Sequence, residues 1–173
     1  MVTDAQQAVA SLGSPTPRFD VVLVHTLISH VTDPMKVLTT AFELLKDTGI
    51  LVVFEGDYGS LTLACPDAVL GREMDLAIAE RTFCQPLVMR QLPGMLQGLG
   101  WEIKEIQGDV VHEIGGQASY FMGMCETYVP QLLQVPGADK HKIQGWLDGQ
   151  RAAVKNGTFF ASCNYFSYFI GKT

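Results

Sequence analysis

Residues 18–56, RFDVVLVHTLISHVTDPMKVLTTAFELLKDTGILVVFEG, decide the fold. Phe19 to His25 is a short run of Val, Leu and Phe broken near its start by Asp20, the pattern of a strand buried on both faces of a parallel sheet. Asp33-Pro34 opens a helix. The Asp side chain caps free N–H groups, and proline suits the first helical position, where no N–H is needed. Val37, Leu38, Ala41, Phe42, Leu44 and Leu45 then recur at helical spacing and give one apolar face. Asp47-Thr48-Gly49 stops the helix, and Ile50 to Glu55 is a second continuous apolar run. Strand, crossover helix and strand make a βαβ unit, for which a right-handed crossover is expected.

These residues also carry a family resemblance. FDVVLVHTLISHVTDP followed by AFELLKDTGILVVFEGD resembles the second half of a class I S-adenosylmethionine-dependent methyltransferase. Lys46-Asp47-Thr48-Gly49 stands where such enzymes have a K-P-G-G-like turn. Ser119-Tyr120-Phe121 and the stretch from Phe159 to Tyr165 resemble the C-terminal end of small-molecule members, so the likeness covers most of the chain. It implies an α/β, truncated Rossmann-like methyltransferase fold: a mixed sheet with flanking helices. It assigns cofactor contacts to Asp4, His25 and Thr26, because Val2-Thr3-Asp4-Ala5 is similar to the end of the family's third strand, whose acidic residue contacts adenine. On that alignment the chain begins where the third strand finishes. The family holds S-adenosylmethionine mainly with a glycine-rich turn after its first strand and an acidic residue after its second. No G-x-G-x-G occurs in the sequence, so the chain alone is expected to bind S-adenosylmethionine weakly or not at all.

At 173 residues the chain reads as one domain, 1–173, large enough for a core. Nearly half of it is apolar and 17% is charged, a globular composition without signs of disorder. A formal charge of −6 with no Lys/Arg cluster argues against nucleic acid and anionic membranes, leaving a small molecule or a protein as partner. No apolar run approaches the roughly 18 residues of a membrane span, and MVTDAQQAV lacks the basic and apolar regions of a signal peptide. A cytoplasmic setting is expected. Cys65, Cys84, Cys125 and Cys163 show no C-x-x-C spacing and read as reduced structural thiols.

Met1 to Pro17 is short and ends in the turn Gly13-Ser14-Pro15-Thr16-Pro17. After Gly56, Asp57 to Cys65 reads as a polar, small-residue loop. Asp67 begins a helix to about Phe83, and Gln85 to Leu99 a shorter one whose regular part starts at Pro93. WEIKEIQGDVV, from Trp101, alternates as a half-exposed strand does. Ser119 to Gln134 and Asp139 to Lys155 are the last helices, and Phe159 to Ile170 is an aromatic strand entered through the turn Asn156-Gly157.

The candidate chemistry collects at the C-terminal ends of the two parallel strands, where open α/β sheets place their sites. His25 ends the first strand and His30 follows it, while Glu55 and Asp57 end the second. Histidine exchanges protons near neutral pH and a carboxylate orients it, so His25, His30 and Asp57 are the catalytic candidates. The bland alternative is a strand-end histidine bonded to backbone, with His30 assisting the helix start beside Asp33. The His25/His30 spacing of five fits neither a helical nor a strand pair of ligands, so no metal site is expected. Glu55 and, through the resemblance, His112, Tyr120 and Asn164 are the candidates to hold the substrate. The competing reading for most of the aromatic residues is core.

Three functions fit. The first is a methyltransferase half that acts when another chain supplies the glycine-rich portion, since methyl transfer needs little beyond holding the methyl in line with a nucleophile. The second is a stand-alone, cofactor-independent cyclase, isomerase or dehydratase reusing the acceptor pocket. The third is a non-catalytic assembly subunit. The resemblance also leaves one neighbour of the Phe19 strand missing, which would expose an apolar edge without Lys or Pro. A homodimer or a complementary N-terminal-half chain is therefore expected to cover it.

Overall fold

The computed structural model describes residues 19–173. Asp4, and the reading of Met1 to Pro17 as the close of a third strand, lie outside these residues. In chain order the elements are β1 (Phe19–His25), α1 (Pro34–Leu44), β2 (Leu45–Leu63), α2 (Ala68–Thr82), α3 (Val88–Met95), β3 (Trp101–Ile114), α4 (Tyr120–Leu132), α5 (Lys140–Asn156) and β4 (Phe160–Lys172). The strands stand in the order β1-β2-β4-β3. β1 runs parallel to β2, with Val21 beside Ile50, Val24 beside Val53 and His25 beside Phe54. Ala64 N–H donates to Phe160 O and Gly115 N–H to Phe159 O, both at 2.9 Å. The ends of β2 and β3 thus meet the start of β4, which makes β4 antiparallel to both. The fold is α/β with a mixed sheet, as the sequence predicts.

The chain divides into two compact units. The first holds residues 19–57, Leu87–Asp109 and Tyr165–Thr173; the second holds Tyr58–Pro86 and Val110–Asn164. In the first, Asp33 Oδ1 accepts from Lys36 N–H at 3.1 Å and Pro34 fills the first turn of α1, as its sequence dictates. Val37, Leu38, Ala41 and Phe42 then pack against Val24, Leu51 and Val53. Each of the larger side chains contributes about 1.5–3 kcal/mol on burial. The helix stops at Leu44, earlier than the Asp47-Thr48-Gly49 turn suggests. Gly49 is required by close approach: a Cβ there would lie 3.0 Å from Lys46 O and 3.1 Å from Phe19 O.

Four expectations are corrected. β1 is not buried on both faces: Val24 is inside, whereas Val21 is 59% and Leu23 60% exposed. Alternation therefore sets one face of β1 on the core and leaves the other open among the described residues. Asp57 to Cys65 is not a loop but the continuation of β2 to Leu63. In the second unit this extension is clamped by α2, where Arg72 Nη2 donates to Gly59 O at 3.1 Å and Asp75 Oδ1 accepts from Leu63 N–H at 3.0 Å. The strand opening at Trp101 is longer than WEIKEIQGDVV and mostly exposed rather than half-exposed.

The fourth correction concerns Pro93, which lies inside α3 rather than at its start. Proline has no N–H for the carbonyl four residues back, here Met89 O. The Tyr168 hydroxyl takes that place, donating to Met89 O at 3.1 Å. Burial, reinforced by the Asp57 charge, pushes the Tyr168 phenol up and keeps it a donor. The second unit buries Met74, Ile78, Phe121, Cys125, Trp146 and Leu147 where α2 packs on α4 and α4 on α5.

The substitution Tyr168→Phe is expected to cost about 1 kcal/mol by orphaning the Met89 carbonyl. In a Pro93→Ala background, where the restored N–H reaches that carbonyl, the same change costs much less. Urea midpoints of the four proteins measure this, and equal costs in both backgrounds would contradict the substitution of Tyr168 for a helical donor.

Candidate functional site

The site in the first unit is built on the loop that follows β1. Thr26 N–H donates to Phe54 O at 2.8 Å, extending the β1–β2 pairing by one residue. Thr26 then turns with φ +43°, a left-handed conformation that a β-branched residue rarely adopts. His25 is exposed, and its Nδ1 lies 3.0 Å from Thr26 Oγ1. Its ring stacks on Phe54 with centroids 4.9 Å apart, and Phe54 stacks in turn on Tyr165 at 5.4 Å. His30 N–H donates to Leu27 O at 3.0 Å, closing a turn that leaves His30 exposed.

Glu55, fully buried, holds this loop from beneath. One carboxyl oxygen accepts from Ser29 N–H at 3.1 Å and the other from Gly56 N–H at 3.0 Å. Ser29 Oγ is itself buried and has no hydrogen-bond partner. Asp57 lies two residues on and is engaged by both arms of Arg90, with Nε at 2.8 Å and Nη2 at 2.9 Å. Donating to the Asp57 carboxylate raises the Arg90 pKa further, and the pair joins β2 to α3. His25 and Thr26 are therefore brought together, and Glu55 meets the residue before His30. Glu55 and Asp57 occupy the alternation positions of β2 that face away from Phe54, and so away from the His25 ring.

The remaining candidates lie in the second unit. His112 is exposed, its Nδ1 3.4 Å from Val110 O. Its neighbour Glu113 has a structural task that the sequence did not reveal. It accepts the N–H groups of Ser119, Tyr120 and Phe121 at 2.8, 2.7 and 2.8 Å, capping α4 from outside the helix. Burial raises its pKa, but these N–H groups outweigh that effect and bring it below the ordinary value. Tyr120 starts α4 and is 47% exposed. Asn164 N–H donates to Ser60 Oγ at 2.9 Å.

Sequence reasoning also missed Ser29, Arg90 and Asp75. Neither the 33-residue separation of Asp57 from Arg90 nor the 26-residue separation of Glu55 from Ser29 leaves a local signal. The four cysteines are free, and burial pushes the Cys125 thiol up to about 12, making it inert. Among the described residues no cluster of three or more His, Cys, Asp or Glu could hold a metal ion. No helix there is long and apolar enough to cross a membrane.

A family model described as "Methyltransferase domain" matches residues 2–53, through β1 and α1 into β2. Solved structures share the fold over nearly the whole chain. A candidate methyltransferase of Bacillus halodurans C-125 aligns with TM-score 0.56 and 16% identity over 99% of this chain and 76% of its own. A candidate type II methyltransferase of Anaeromyxobacter dehalogenans gives TM-score 0.59 and 14% identity, again over 99% of this chain and 70% of its own. The YcgJ protein of Bacillus subtilis gives 0.55 and 13%, with the same two coverages. No curated protein matches. The fold is thus α/β and Rossmann-like, shared with these methyltransferase structures at identities that establish architecture alone.

Of the residues that the resemblance assigns to S-adenosylmethionine, the described ones are His25 and Thr26. Thr26 and His25 present polar groups at the end of β1, but the Glu55 carboxyl is buried against Ser29 and Gly56, and Asp57 is held by Arg90. The sequence contains no G-x-G-x-G pattern.

Asp75 is 4% exposed, and burial raises its pKa to about 6 against the opposing pull of Leu63 N–H and Arg72. Its folded pKa exceeds the ordinary 3.8, so its contribution to stability is complete below that value and is lost as pH rises through about 6. Asp75→Asn keeps the acceptor for Leu63 N–H without the charge. It is expected to raise stability by about 1–3 kcal/mol at pH ~7.5 and to leave it nearly unchanged at pH ~4. Denaturation at both pH values checks this; parallel pH profiles for the two proteins would contradict it.

Proposed function

We propose that the chain is the acceptor-side half of a methyltransferase-like enzyme acting on a small molecule, with its working groups on the loop after β1. The observation that supports this most is the pair of exposed His25 and half-buried Thr26, held at the C-terminal end of β1 by the bond from Thr26 N–H to Phe54 O. Ligands of open α/β sheets sit at that end. His25 and His30 are the groups proposed to take a proton from an acceptor hydroxyl or amine. Glu55 fixes the loop that carries them, and Asp57 with Arg90 fixes the strand end. Methyl transfer belongs to this reading where further polypeptide completes the S-adenosylmethionine site. The free cysteines are consistent with a cytoplasmic setting.

A covering polypeptide is part of the proposal. Val21 and Leu23 are exposed on β1, and no strand pairs with its outer edge among the described residues. A second copy, or a chain bearing the remaining strands of a methyltransferase sheet, would cover them. Light scattering of Leu23→Lys tests this. A loss of mass relative to the parent protein is expected, and an unchanged mass would contradict it.

Titration calorimetry is expected to show weak or no binding of S-adenosylmethionine to the chain alone, and tight binding would contradict this reading. In the assembled enzyme, His25→Ala or His30→Ala should lower turnover by about 10²-fold or more with the fold intact. Unchanged rates in both variants would remove these histidines from the chemistry.

A further inference from the structure

The second unit contains a cavity of about 820 Å³ between the β2–α2 connection, one face of α5 and the start of β4. This is the size of a small-molecule pocket. None of His112, Tyr120 or Asn164 lines it. The α5 wall carries Gly145, Gly149, Ala152 and Ala153. Glycine inside a helix is unfavourable relative to alanine, yet a Cβ built on Gly145 or Gly149 would meet no atom within 4 Å. The glycines therefore accommodate nothing in the protein itself; they leave open space above the helix.

Two further observations point to an occupant. Trp146 and Gln150 both line the cavity and are each only 4% exposed, yet Trp146 Nε1 and Gln150 Oε1 have no hydrogen-bond partner. Gln150 Nε2 is satisfied by Ala64 O at 2.9 Å, so only the acceptor half of its amide is orphaned. Buried polar groups are rarely left so, because the water bonds lost on folding go unreplaced. The charges at the rim are already engaged. Lys142 Nζ is paired with Glu73 at 2.8 Å, and Asp67 accepts the N–H groups of Val69 and Leu70 at 3.0 Å each.

We infer that this cavity binds a flat, uncharged, largely apolar molecule bearing a hydroxyl or amide, which accepts from Trp146 Nε1 and donates to Gln150 Oε1. The orphan atoms themselves have no solvent contact, so the ligand engages them by shifting the two side chains within the wall. Phe160 and Leu70 supply apolar surface, and the glycine face of α5 lets a ring lie close against the helix. The inference is independent of methyl transfer, since every residue in it belongs to the second unit.

2-Naphthol, which is flat and apolar with one hydroxyl, is the probe. Nitrogen–proton spectra of the labelled protein show one indole resonance from each of Trp101 and Trp146, told apart by Trp101→Phe. Titration to the millimolar range should shift the Trp146 resonance saturably and leave that of Trp101 in place. Gly149→Leu fills the cavity from a helical position that favours leucine, and it should abolish the shift while far-UV circular dichroism is unchanged. Gln150→Ala should weaken binding about tenfold, the loss of one hydrogen bond. No saturable shift, or the same shift in Gly149→Leu, would overturn the inference.

Discussion

Glu55 is a carboxyl group with no solvent exposure, and both of its oxygens accept backbone N–H groups, from Ser29 and from Gly56. Burying such a group without partners would cost several kcal/mol, so the loop between β1 and α1 is obliged to bring the Ser29 amide to it. That obligation fixes where the chain goes after β1. Thr26 must turn at once, through a strained φ, and the turn places the His25 ring against Phe54 and leaves His30 at the surface. A parallel strand pair cannot be closed by a tight hairpin. The same loop therefore also delivers Asp33 and Pro34 to start the helix that returns the chain to β2.

Much of this was legible in the sequence because it is local. The Asp33-Pro34 start of α1, its apolar face, the Asp67 and Asp139 helix starts and the left-handed Gly157 that ends α5 are each written within a few residues. The resemblance to methyltransferases rested on such local patterns too, and it led to the right architecture. What the sequence hid depends on long-range partners. Asp57 to Cys65 looks polar and small, hence loop-like, but α2 reaches across to bond its backbone and β4 pairs with it. Pro93 looks like a helix start because proline usually is one; it is tolerated inside α3 because Tyr168, 75 residues away, replaces the missing donor.

The candidate site was legible in part for the same reason. Histidines at a strand end are visible in sequence, and the structure leaves His25, the last residue of β1, and His30, on the loop that follows, both exposed. The carboxylates named alongside them have other occupations. Glu55 accepts the N–H groups of Ser29 and Gly56, and Asp57 is paired with Arg90. The buried Asp75 and the orphaned Trp146 and Gln150 carry no sequence signal, since their significance comes entirely from what surrounds them.

The central claim is that a buried carboxyl on β2 preforms the loop that follows His25 and carries Thr26 and His30. Amide hydrogen exchange of the parent protein and of Glu55→Ala tests it most directly. The account predicts slow exchange at Ser29 and Gly56 in the parent and a marked loss of protection at both in the variant, with Val24 and Val53 still protected. Equal protection of Ser29 in the two proteins would show that the loop is held by something else and would contradict the claim.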